Sequence, residues 1–192
     1  MRKLAVILGL AALVVLAATP VMAGGIAVMY STWDTDTADD DQGAGVKIEI
    51  DMNPNLDLEF RASFFDSFAQ VDRFELYEIE ATPIDMGFAW HFIPDGRVNP
   101  YLGAGGTFLL ISPNPAVGEE ETSRPHSQEE FGWYGEAGIE FVVADQFSIF
   151  VEALYRDASG EVRGRDLGTA PQFDFEVDFG GVAANFGFMF RW

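Results

Sequence analysis

The feature that most limits what this chain can become is its last eleven residues, Val182-Ala-Ala-Asn-Phe-Gly-Phe-Met-Phe-Arg-Trp192. Counting by twos puts Val182, Ala184, Phe186, Phe188, Phe190 and Trp192 on one parity. Ala183, Asn185, Gly187, Met189 and Arg191 fall on the other. Side chains alternate faces along a strand, so one face here is an unbroken apolar and aromatic row. A core strand also carries an apolar face, but this row has more aromatics than a small core takes from one strand. A strand facing lipid, with an aromatic girdle, accounts for it better.

The other end of the chain points the same way. Met1-Arg2-Lys3 is basic, Leu4 to Ala18 is almost wholly apolar, and Val21-Met22-Ala23 offers modest side chains at a cleavage site. Residues 1–23 read as a secretory signal peptide, which leaves 24–192 as a single domain. The leading apolar run is short for a membrane helix, and no later stretch is long enough for one. A membrane role must therefore come from strands. Cysteine is absent, so disulfides and thiolate metal sites are excluded. The net charge of −20 would repel nucleic acid and anionic surfaces. The 18 Phe, 5 Tyr and 4 Trp argue against a disordered acidic chain.

Period-two patterning marks eight strands. Strand one carries Ile26, Val28, Tyr30 and Thr32 on one face, and an acidic loop spans 34–42. Strand two sets Ala44, Val46, Ile48, Ile50 and Met52 against Lys47 and Glu49. After the turn Asn53-Pro54-Asn55, strand three sets Leu56, Leu58, Phe60, Ala62 and Phe64 against Asp57, Glu59, Arg61 and Ser63. A loop is expected over 66–73. In strand four, Glu78 and Glu80 share one parity, whereas from Ile84 to Phe92 the apolar residues take it over. Proline cannot donate to a ladder, so this slip predicts a bulge at Pro83.

A turn at 94–97 leads into a glycine-rich fifth strand over 100–110, where a bulky neighbour is expected to approach closely. A long loop covers 112–130, strand six runs from Trp133 to Val143, and a turn spans 144–146. Strand seven runs from Phe147 to Arg156, a loop covers 157–172, and strand eight closes at Trp192. That last strand is open to upstream extension through Phe173, Phe175, Val177 and Phe179, with a change of phase at Gly180-Gly181.

The strand count is even, long and short connections alternate, and charged residues keep to one parity. Together these predict an all-β fold, an eight-stranded antiparallel up-and-down transmembrane β-barrel. A soluble sandwich has no reason to alternate its loop lengths. A lipocalin-like soluble barrel would turn its apolar face inward and its charges outward.

The segments Asn99-Pro-Tyr-Leu-Gly-Ala-Gly-Gly106, Tyr134-Gly-Glu-Ala-Gly-Ile-Glu140, Phe147 to Arg156 and Gly187-Phe-Met-Phe-Arg-Trp192 carry a resemblance. In their order and spacing the chain resembles the eight-stranded outer-membrane β-barrel family typified by the OmpA and OmpX barrels. The resemblance implies a monomer among outer-membrane lipids of a bacterial cell. It also implies an assembly signal in Phe186, Phe188, Phe190 and Trp192, read by the barrel-insertion machinery. Trp192 stands where such proteins usually end in Phe. No peptidoglycan-binding domain follows, so an anchoring role is not expected.

The inward parity is the one plausible site. It is expected to hold Lys47, Glu49, Asp57, Glu59, Arg61, Glu78, Glu80, Asp85, Glu136, Glu140, Glu152 and Arg156. An eight-stranded barrel is just wide enough for side chains to fill it, so these groups are expected to form a plug. Carboxylates outnumber bases, so some should be protonated or balanced by cations. A narrow ion or small-molecule conduit is the alternative.

In the first acidic loop, Asp34, Asp36, Asp39, Asp40 and Asp41 could bind a divalent cation such as calcium. Gly45 stands where an EF-hand needs its bidentate Glu, so a solvated loop is the simpler reading. No cofactor is expected. Of the two histidines, His91 has the inward parity and reads as a network member. His126-Ser127 would suit a lipid A-modifying hydrolase only with an orienting acid, so no enzyme is expected. A structural or surface-interaction role is the expected function.

Overall fold

The computed structural model describes residues 23–35, 41–72, 75–114, 128–164 and 173–192. The signal-peptide reading therefore lies outside the described residues, Ala23 apart. Ten strands run in chain order: β1 (Gly24–Thr35), β2 (Asp41–Asn53), β3 (Leu56–Asp72), β4 (Glu75–His91), β5 (Val98–Asn114), β6 (Gln128–Ala144), β7 (Phe147–Asp157), β8 (Ser159–Gly164), β9 (Phe173–Asp178) and β10 (Gly181–Arg191). Eight of them close a barrel in the order β1-β10-β7-β6-β5-β4-β3-β2, and β8 and β9 form a separate two-stranded sheet. All barrel neighbours are antiparallel.

Closure comes from β10 pairing with β1 from Gly25↔Arg191 to Thr35↔Gly181. A closed ladder leaves no strand edge with unpaired N–H and C=O groups, the condition for crossing hydrocarbon. Outside faces Val182, Phe186, Phe188 and Phe190 of β10, joined by Phe88 and Trp90 of β4 and Phe147 and Tyr155 of β7. Inside sit Lys47, Glu59, Arg61, Asp85 and Arg156, each at most 1% exposed. The exposed aromatic rows face out and the ion network faces in, the reverse of a soluble barrel.

Tight connections gather at the end that also carries Gly24 and Trp192. There Asn55 N–H donates to Asn53 Oδ1 at 3.0 Å, and Gly96 N–H donates to Ile93 O at 2.9 Å. Long hairpins extend from the opposite end. β3, β4, β5 and β6 each have 17 residues, against 12 for β1. A strand needs only about 9–11 residues to cross the hydrocarbon, so these strands project well beyond it.

That projection corrects several sequence expectations. Residues 66–72 are not a loop, because β3 continues to Asp72, paired with Glu75. The extra residue is not at Pro83, which pairs with Leu109 in an unbroken β4–β5 register. It lies on β3, where Phe65 and Phe68 face Ala81 and Ile79. Parity therefore never slips in β4, and Glu80 shares the outward face of Thr82, Ile84 and Met86 rather than the lumen. Its charge is tolerated because β4 has already left the apolar band.

The loop expected over 157–172 is likewise partly strand. β8 pairs with β9 from Ser159↔Asp178 to Gly164↔Phe173, so the upstream extension of the last strand forms its own hairpin. The expected break at Gly180-Gly181 is real. Gly181 has a φ of 151°, and a Cβ there would run into the Asp34 carbonyl.

Candidate functional site

The barrel interior has three tiers, built from inward positions of all eight wall strands. Nearest the long hairpins is an apolar tier of Trp33, Phe65, Leu109, Ile111, Tyr134, Leu154 and Phe179, all buried. In the middle lies an ion network. Toward the short turns comes a smaller cluster around His91 and Arg191.

Three cations organise the middle tier. Lys47 Nζ lies 2.9 Å from Glu152 Oε2, 3.0 Å from Glu59 Oε2 and 3.2 Å from Glu49 Oε1. Arg61 pairs with Glu59 and Glu136, reaches Glu152 at 3.0 Å, and lies 3.4 Å from Asp85. Arg156 donates to Asp85 Oδ2 at 2.7 Å. Neutral groups complete the web: Tyr101 OH donates to Glu152 at 2.6 Å, Asn185 Nδ2 to the other Glu152 oxygen at 2.8 Å, and Thr107 to Asp85 at 2.8 Å.

Aromatic rings lie alongside the cations. Lys47 Nζ is 4.8 Å from the Tyr101 ring centre and 5.2 Å from that of Phe150. The Arg156 guanidinium lies 5.0 Å from the Trp33 ring, within cation–π range. Charges this deep are costly unless paired, and each of these has a partner of opposite sign.

Glycines make room for the large groups. Tyr101 faces Gly138, Glu136 faces Gly103, and Phe150 faces Gly187 across their ladders. A Cβ on any of the three would strike that neighbour. Gly103 of the fifth strand, with Gly138 and Gly187, thus meets a packing requirement of a narrow, filled barrel.

The short-turn tier is more exposed. Arg191 holds Glu140 with two hydrogen bonds, at 2.8 and 2.9 Å, and Glu49 with one at 2.8 Å. His91 Nε2 lies 3.1 Å from Asp57 Oδ2, its Nδ1 lies 2.7 Å from Asn99 Nδ2, and its ring stacks on Tyr101 at 5.1 Å.

Of the residues expected in the lumen, Lys47, Glu49, Glu59, Arg61, Asp85, Glu136, Glu152 and Arg156 meet in one connected web. Asp57 and Glu140 join the short-turn tier. Glu80 is outside, and Glu78 is placed by its backbone alone, opposite Asn114. Sequence reasoning missed Tyr101, Thr107, Tyr134, Asn185 and Arg191 as members of the network, although Tyr134 shares the parity of Glu136 and Glu140, and Asn185 and Arg191 share the inward parity of the last strand.

Among the loop acids, Asp34 is exposed, and the Asp41 carboxylate accepts the Gln42 N–H at 2.7 Å. Asp36, Asp39, Asp40 and His126-Ser127 lie outside the described residues. The partners of His91 include no hydroxyl nucleophile, so they do not make a Ser–His–acid relay.

Comparisons with known proteins agree with this architecture. Residues 4–190 match the sequence profile of the outer membrane protein beta-barrel domain. Among solved structures, the outer membrane protein OprG from Pseudomonas aeruginosa superposes with a TM-score of 0.70 at 15% identity, covering 89% of this chain and 97% of that one. The outer membrane protein AlkL, solved in DMPC bilayers, gives 0.62 at 12% identity, covering 88% of this chain and 90% of that one. E. coli outer membrane protein W gives 0.51 at 13% identity, covering 88% and 98%. At these identities the likeness is one of fold. No curated protein sequence matches the chain.

Proposed function

Because the chain belongs to the outer membrane protein beta-barrel domain family, we propose that it is a sealed outer-membrane barrel with a structural or surface-interaction role. The observation that carries this reading is the filled lumen. Lys47, Arg61 and Arg156 are each fully buried or 1% exposed; Lys47 and Arg61 are tied to carboxylates on several strands and Arg156 to Asp85, under an apolar tier that includes Trp33 and Phe65. An ion would have to break that web and then cross the apolar tier.

With the lumen closed, exchange with the surroundings falls to the long hairpins. In this reading they face outward, and the short turns and both termini face the periplasm. Residues 1–23 direct export and are then removed. The barrel is a monomer among outer-membrane lipids, placed there by the barrel-insertion machinery, which reads Phe186, Phe188, Phe190 and Trp192. The acids of 34–41 are the loop groups open to divalent cations.

Conductance of the purified, folded protein in planar bilayers tests the sealed lumen. The expected trace stays at the level of the bare lipid. Stable unitary openings with cation selectivity would overturn the reading and favour an ion conduit.

A further inference from the structure

The short-turn tier holds a second set of side chains, joined to the central web through Glu49, which also pairs with Lys47 at 3.2 Å. Glu49, Asp57 and His91 come from the consecutive strands β2, β3 and β4, and one donor atom of each lies within 4.8 Å of the others. They are 2%, 5% and 2% exposed. The imidazole is fixed on several sides: its ring stacks on Tyr101, Nδ1 meets Asn99, and its own carbonyl accepts from Asn55 Nδ2 at 2.7 Å. The remaining ring nitrogen, Nε2, is buried and points at the carboxylates, 3.1 Å from Asp57 Oδ2.

The charge around it is unbalanced. Asp51 stands directly opposite Asp57 in the β2–β3 register, and Glu49 opposite Glu59. Like charges in such positions repel. Arg191 is committed to Glu140 and Glu49, and its Nη1 is 3.9 Å from Asp51. The Asp51 Oδ1 atom is buried without a hydrogen bond. Asp57 has His91 as its ion-pair partner.

We propose that Glu49, Asp57 and His91 form a binding site for a divalent first-row transition ion such as Zn2+, ligated by one oxygen of each carboxylate and by His91 Nε2. One imidazole nitrogen with two carboxylate oxygens suits Zn2+ or its neighbours, whereas Ca2+ and Mg2+ take oxygen ligands. Donor atoms around a tetrahedral zinc are about 3.3 Å apart, given bonds of about 2.0–2.2 Å. The three side chains must therefore close in only modestly. Metal-bound histidines hold their other ring nitrogen in a hydrogen bond that fixes the tautomer. Asn99 does this once its amide turns Oδ1 toward a protonated Nδ1. Glu49 must release one ion pair, and Arg191 keeps its two bonds to Glu140. The ion would offset the crowded negative charge of Glu49, Asp51 and Asp57.

The test titrates Zn2+ into the full chain folded in detergent micelles, by calorimetry, with Co2+ as a spectroscopic probe. Wild type is expected to bind one tight equivalent with nitrogen in the coordination sphere, apart from any weak binding to the loop acids. His91→Gln should weaken binding by at least ~10-fold, the scale on which even supporting groups around metals act. His126→Gln, and a variant with Asp36, Asp39, Asp40 and Asp41 changed to Asn, should bind as wild type does. Equal affinity in wild type and His91→Gln, loss of binding in the loop variant, or no binding at all would overturn the proposal. If His91→Gln does not fold, electron spin resonance of Cu2+ on wild type and His126→Gln decides. Coupling to one imidazole nitrogen in both supports the site, and its absence from either refutes it.

Discussion

A chain lacking Phe190–Trp192 is expected not to assemble, leaving periplasmic aggregate or degraded protein in cells and no folded band after refolding into vesicles. The deletion acts at the barrel seam. Phe190 pairs with both Ile26 and Phe147, and Arg191 with Gly25. The Arg191 N–H donates to Gln146 O at 2.9 Å, and the Trp192 N–H to Gly24 O at 3.1 Å. Each backbone group freed beside hydrocarbon costs several kcal/mol, because lipid offers no replacement partner. The same cut removes the guanidinium that joins Glu49 to Glu140 and the Phe190–Phe147 edge-on contact at 5.3 Å. Heat-modifiable mobility on gels, measured for the truncated and intact chains, reads the outcome. Wild-type folding of the truncated chain would remove the seam and its aromatic row from the account.

Replacing Arg61 with Met should destabilise the folded barrel by about 3–5 kcal/mol, the cost of removing one partner from a buried ion cluster. Arg61 touches Glu59, Asp85, Glu136 and Glu152, so its loss leaves carboxylates facing one another with Lys47 and Arg156 alone to hold them. The hydrophobic stem of Met fills part of the volume but returns none of the charge. Adding Glu136→Gln to Arg61→Met should recover part of the loss, because it removes one of the stranded charges. Urea unfolding of the protein in vesicles measures all three states. An Arg61→Met barrel within about 0.5 kcal/mol of wild type, the range of an ordinary surface change, would mean that the web does not hold the lumen closed.

The parts of this structure that were readable in the sequence are those where one rule acts alone. Between Gly181 and Trp192 lipid sets one face and the packed lumen the other, so parity is enough to place Phe186, Phe188 and Asn185. The same rule places Lys47, Glu59, Arg61 and Glu152. It misplaces Glu80, because charge marks the inward face only within the thickness of the membrane. Above that band β4 keeps its alternation but changes its tolerance, which from sequence mimics a slip of one residue. Pro83 mimics the cause of such a slip, while the bulge itself, between Phe65 and Phe68 on β3, carries no proline. The β8–β9 hairpin was hidden for a related reason: its pairing is with itself, not with the wall, and alternation alone does not say which strand is the neighbour. Tyr101 and Gly138 form a pair only through register, which no single strand reveals.

The central claim is that, within the apolar band, even positions of β4 and β10 face lipid and odd positions face a packed lumen. The chain has no cysteine, so each introduced one is unique. Single cysteines at 81–90 and 182–190 would be labelled with a nitroxide in the unfolded chain, which is then folded into lipid vesicles. Labels on Thr82, Ile84, Met86, Phe88, Val182, Ala184, Phe186 and Phe188 should permit folding and show relaxation by oxygen dissolved in the bilayer. Labels on Ala81, Asp85, Gly87, Ala89, Ala183, Asn185, Gly187 and Met189 should block folding, because the lumen has no room for them. A folding yield without this alternation, or one that changes phase at Pro83 or reverses throughout, would contradict the account.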